Sequence, residues 1–200
     1  MTVATSPARN IRQTLSGLAG AAVFGLAISI SGAPSRAAEP ATPTGQVVLT
    51  VAGNISTSNR PAFDAFEDGF LKYHDKSFAR AFAFDLAMLE TLGMQSVTID
   101  IDAWPKPARF EGPWLKDVLA AAGAAGKDVT LFALDGFGSE LPAADVAAFD
   151  WIVGVKRDGR YLDIGQRGPL WVVYRRRDGK AATDEDEQRW PWATFYIEVK

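Results

Sequence analysis

Asp128-Val129-Thr130-Leu131-Phe132-Ala133-Leu134-Asp135-Gly136-Phe137 passes from an apolar run straight into tight-turn chemistry. Residues 128–134 read as a strand. Asp135-Gly136 closes it, because Gly enters the left-handed backbone region freely and Asp bonds neighbouring amides. Outward from this stretch the same grammar recurs. Residues 46–52 read as a strand stopped by Gly53-Asn54, and 96–102 alternate apolar with polar as a half-buried strand does. Further strands are expected over 151–156, 160–162, 170–175 and 194–199, with a turn at Asp158-Gly159. Helices are expected over 80–92, stopped by Gly93, over 113–121 with Pro at the first position, and over 142–149. Residues 54–80 contain Pro61 and aromatics at mixed helical spacing, and 181–188 read as a solvated loop carrying the acidic run 184–187. Short strands and helices in this order predict an α+β fold with a mixed, mainly antiparallel sheet.

Residues 1–37 read as a signal peptide. Arg9 and Arg12 form a positive start, no acidic residue precedes Glu39, and an apolar stretch runs from Leu15 to Ile30. Ser35-Arg36-Ala37 puts small residues where cleavage after Ala37 needs them. The glycines and alanines of the apolar stretch make it a poor spanning helix. The expected location is therefore the periplasm, reached by the general secretory route, since the arginines are separate rather than paired. Residues 38–45 form a short linker, and 46–200 a single domain. Of the 21 basic residues, three (Arg9, Arg12, Arg36) fall in the leader, which leaves 18 against 24 acidic ones and a net charge of −6. That balance argues against nucleic acid as a partner. The chain has no cysteine, so no disulfide supports the fold.

Matching pieces stand in order: the opening strand ending at Gly53, the helix around Phe84-Asp85-Leu86, Phe110-Glu111-Gly112-Pro113 followed by Leu115 and Leu119, Ala133-Leu134-Asp135-Gly136-Phe137, Asp158-Gly159, Arg167-Gly168-Pro169 with Trp171, and Trp190-Pro191-Trp192 with Ile197. Over residues 46–200 the chain thereby resembles the molybdopterin-binding domain of the sulfite oxidase fold, in its exported, cofactor-less branch of periplasmic pterin-binding regulatory proteins. The resemblance implies a sulfite oxidase-like fold and a tetrahydropterin-like ligand. It also implies a partner, the periplasmic domain of a membrane sensor that makes and degrades cyclic di-GMP. Molybdenum is not expected and no catalytic residue is assigned, because the thiolate a molybdenum centre takes from the protein is missing. An oxidoreductase holding molybdopterin by other ligands is the alternative. The chain departs from the family pattern in carrying Phe137 where Tyr is usual, and in a longer 54–80 connection that either caps the pocket or meets a partner.

A pterin is a flat bicycle with one edge rich in donors and acceptors, so it calls for aromatic or guanidinium planes and a few fixed polar groups. Trp104, Trp190 and Trp192 are candidate planes, each read alternatively as a buried plug. Arg167 can stack and donate in one plane, as Lys cannot; a surface ion pair is its other reading. Asp135 either bonds its own turn or faces the ligand's N–H groups. Phe110 and Phe137, within the motifs, and Arg109, just before Phe110 and of the same type as Arg167, complete the candidates. His74 has no catalytic companions nearby in sequence, and no phosphate loop, zinc spacing or nucleophile elbow occurs. A third reading is an interaction protein whose old pocket is plugged by Trp104 and Phe137.

Overall fold

Val47–Gly53 (β1) lies inside the largest sheet, and its residues 49–52 are buried. In the computed structural model, which describes residues 39–200, the chain continues through Gly69–Tyr73 (α1), Ala81–Asp85 (β2), Leu86–Thr91 (α2), Gln95–Ile99 (β3) and Ala108–Gly112 (β4). Leu115–Ala121 (α3), Val129–Ala133 (β5), Gly138–Leu141 (β6), Ala143–Ala148 (α4) and Asp150–Gly154 (β7) follow. Lys156–Arg157 (β8), Arg160–Tyr161 (β9), Trp171–Arg175 (β10), Asp184–Glu187 (α5) and Thr194–Val199 (β11) complete it. The fold is α+β. A five-stranded sheet runs β2-β1-β11-β5-β6, a four-stranded one β3-β4-β8-β9, and β10 pairs with β7. Only β1 and β11 pair in parallel among the described strands. The expected leader over 1–37 lies outside the described residues. No described helix is long and apolar enough to cross a membrane.

The core is built where β4, β7 and β10 meet α3. Phe110, Leu115, Val118, Ile152, Val153, Trp171, Val172 and Val173 are all buried there. Gly112 is required at this junction: a Cβ on it would stand 1.9 Å from the Val153 carbonyl oxygen, so no side chain fits between β4 and β7.

Three expectations are corrected. The helix expected over 80–92 is a strand and then a helix. Residues 81–85 are buried throughout and pair antiparallel with β1, Val51 opposite Phe82. A strand covered on both faces loses the polar alternation that marks a half-buried one, so its apolar run merges with the helix behind it. Asp85 makes the break: its Oδ1 accepts from Met88 N at 2.8 Å, capping α2, and its Oδ2 accepts from Thr44 N and Gly45 N at 2.8 Å. The loop expected over 181–188 contains α5. Thr183 and Asp186 form a reciprocal capping box, and Asp186 is 6 % exposed, not solvated. Two strands, β4 and β6, stand where none was expected; β6 is short and opens on Gly138, which conceals it.

The long 54–80 connection covers the outer edge of β2. The Asn59 side chain donates to Ala83 O at 2.9 Å and accepts from Ala83 N at 2.7 Å, while Ser58 Oγ donates to Ala81 O at 2.8 Å. An amide side chain thus stands where a further strand would pair. Beyond it, Phe66 and Tyr73 are exposed.

Candidate functional site

Three segments meet at one end of the five-stranded sheet. The first is the turn joining β5 to β6. Gly136 has φ +88°, and Asp135 Oδ1 accepts from Phe137 N at 3.0 Å, which holds the Phe137 ring outward. The second is the run 167–171 leading into β10. The third is 190–193, which lies between them. Val172 N donates to Pro191 O at 3.0 Å, Ala193 N to Arg167 O at 2.9 Å, and Leu134 N to Ala193 O at 3.0 Å. Backbone bonds therefore fix the three segments side by side and set what their side chains enclose.

They enclose a cleft of about 520 Å³, lined by Ala133, Asp135, Phe137, Arg167, Trp171, Glu187, Gln188, Trp190 and Trp192. Trp171 and Trp190 are buried, 1 % and 3 % exposed, whereas Phe137 and Trp192 are 44 % and 38 % exposed. Arg167 sits between the two kinds. Its guanidinium carbon is 4.7 Å from the Trp171 ring and 5.8 Å from the Trp192 ring, within cation–π range of both. The indole N–H groups of Trp171 and Trp190 are buried with no acceptor. Each such orphan costs about 1–3 kcal/mol until an acceptor reaches it.

Of the eight candidates from sequence, Asp135, Phe137, Arg167, Trp190 and Trp192 line this cleft; Trp104, Arg109 and Phe110 do not. Phe110 is fully buried in the core, its ring 5.1 Å from that of Trp171. Arg109 is on the opposite face of the same strand, paired with Glu111 at 2.8 Å, because successive strand residues alternate in direction. Trp104 is half-buried behind the cleft wall, its ring tilted 53° to that of Trp171 with centroids 5.4 Å apart, and it donates from Nε1 to Glu187 Oε1 at 2.5 Å.

That last bond exposes what the sequence reading missed. Glu187 and Gln188, assigned to a solvated loop, form a wall of the cleft. Helix α5 sets them there, and α5 is held by Asp186, which accepts from Thr183 N at 2.8 Å and from the buried Tyr174 hydroxyl. Burial opposes ionisation of Asp186, but the bonds from Tyr174 and Thr183, with Arg176 nearby, outweigh it and hold the carboxyl below its ordinary value. Burial, reinforced by the Asp186 charge, pushes the Tyr174 hydroxyl pKa up. The Thr183-to-Asp186 spacing is the signal that locates this helix.

The second Glu187 oxygen has no hydrogen bond among the described residues. The cleft thus offers a carboxylate acceptor and a guanidinium that lies against indole rings. No three His, Cys, Asp or Glu side chains among the described residues are grouped as a metal site. No protein-family model matches the chain, and a search of curated proteins finds no match.

Proposed function

We propose that the chain is a non-catalytic, exported protein that binds a tetrahydropterin-like ligand, on a sulfite oxidase-like fold. The observation that carries the reading is convergence. Residues 135, 137, 167, 190 and 192, chosen from sequence for a flat heterocycle with a polar edge, surround a single cleft with Trp171 and Glu187. The cleft has the size range of a small-molecule site and combines ring planes with few polar groups. In the proposed pose the bicycle lies against Trp192 and Arg167, and its amino and ring N–H groups face Glu187 and Asp135. Nothing in this arrangement supplies a nucleophile with its base. The loaded protein then acts on the periplasmic domain of a membrane sensor that makes and degrades cyclic di-GMP.

The test is thermal unfolding of the purified protein with and without tetrahydropterins, together with mass spectrometry of any small molecule that co-purifies. At 100 times its dissociation constant a ligand adds about 2.7 kcal/mol of stability, a readily measured shift. No shift with any pterin, or stoichiometric molybdenum in the purified protein, overturns the reading. The sensor partnership is tested separately: crosslinking in cells should join the two only when pterin is supplied.

A further inference from the structure

Beside the aromatic cleft lies a second one, of about 760 Å³, and Arg167 lines both. Lys106, Arg157, Arg160 and Arg167 contribute to its walls, against only two carboxylates, Asp158 and Asp163. Asp158 is already engaged. Its Oδ1 accepts from Arg109 N at 2.9 Å, and its Oδ2 lies 3.4 Å from Lys106 Nζ. Among the described residues Arg157, Arg160 and Arg167 have no ion-pair partner. Three guanidiniums without a close carboxylate repel one another across this cleft, Arg157 being partly offset by the Asp158 charge.

Two of these arginines are held by aromatic rings. Arg157 has its guanidinium carbon 5.6 Å from the Trp104 ring and 5.5 Å from the Trp171 ring, and its Nε is buried without an acceptor. Arg167 stands 4.7 Å from the same Trp171 ring. Trp171, rigid in the core, therefore spaces one arginine at the junction of the two clefts and one inside the second. Fixed guanidinium forks favour oxyanions, which accept two parallel hydrogen bonds from each.

We propose that this second cleft is an oxyanion site, taking the phosphate or carboxylate tail of the ligand whose ring the aromatic cleft holds. The proposal rests on the pterin reading for the ring and on the arginines alone for the tail. Arg167 belongs to both clefts, so the ring and the tail meet at its guanidinium.

Calorimetric titration of the purified protein with three probes of shared ring decides it: dihydroneopterin, its 3′-monophosphate, and dihydrofolate, whose tail is a carboxylate. At low salt one charged probe should bind about tenfold or more tighter than dihydroneopterin, as charge-assisted hydrogen bonds contribute. Added salt should shrink that gain by screening. Arg160→Gln should remove most of the ratio between charged and neutral probes. Arg160 is exposed and unpaired, so this variant keeps its fold. Which charged probe wins names the tail. If dihydroneopterin binds and neither charged probe exceeds it by more than twofold, the oxyanion site is overturned and the pterin reading stands. If no pterin binds but inorganic pyrophosphate does, with loss in Arg160→Gln, the oxyanion site stands and the pterin reading falls. If nothing binds, both fall.

Discussion

Asp186→Ala should weaken both the fold and the cleft, and the structure gives the size of the effect. The substitution leaves the Tyr174 hydroxyl, buried and bonded to Asp186, without a partner; that orphan alone costs about 1–3 kcal/mol. Both halves of the capping box with Thr183 also go, at about 1 kcal/mol. The Arg176 pair at 3.5 Å adds little, since its guanidinium is partly solvated. Together the loss is about 2–4 kcal/mol, or roughly 5–15 °C in Tm for a domain of this length. Denaturant unfolding at pH 7 measures it. The effect is pH-dependent in a defined direction. The folded carboxyl sits below its ordinary 3.8, so its contribution is complete above that value and is lost as pH falls through the lowered folded one. The gap between wild type and Asp186→Ala should therefore be widest near pH 7 and narrow below pH 3.8 without closing, because a protonated Asp186 still accepts from Tyr174 and Thr183. The variant should also bind pterin more weakly, because α5 no longer fixes Glu187. A loss under about 0.5 kcal/mol, the size of an ordinary surface substitution, would refute the reasoning.

Trp192→Ala should weaken pterin binding by about 10- to 100-fold, the range for losing one stacked ring, while denaturation midpoints barely move. Arg167→Lys should weaken it too, since charge is kept and the plane is lost; equal affinity in a calorimeter would remove the stacking role. Phe110→Ala should cost about 3–5 kcal/mol of stability by opening a core cavity, with pterin affinity of the remaining folded protein nearly unchanged. Asn59→Ala uncovers the Ala83 N–H and C=O, at about 0.5–1.5 kcal/mol for each lost bond, and light scattering should then show concentration-dependent association through β2.

Strands with a clear boundary were legible in the sequence: β1, β5, β10 and β11 fall where apolar runs end in Gly, Pro or turn residues. β2 was not, because Ala-Phe-Ala-Phe buried on both faces carries no polar alternation and runs directly into α2. α5 was hidden by its own acidity. Four consecutive carboxylates suggest solvation, and only the three-residue spacing from Thr183 to Asp186 reveals that one of them caps a helix and points inward. The site followed the same rule. Asp135, Arg167, Trp190 and Trp192 flank turn or proline residues, and backbone bonds between the three segments gather them. Phe110 and Arg109 are adjacent in sequence, yet strand alternation sends one into the core and the other to solvent. Glu187 was unreadable without α5, and the arginine cleft, with residues from 106 to 167, has no local signature.

β11, the last strand in the chain, lies in the middle of the largest sheet, between β1 and β5. Whatever delivers this polypeptide from its amino end first, that sheet stays split in two until residues 194–199 arrive to zip the halves together. Until then β1 with β2, and β5 with β6, are separate ribbons with bare inner borders. Closure of that sheet therefore waits on residues 194–199.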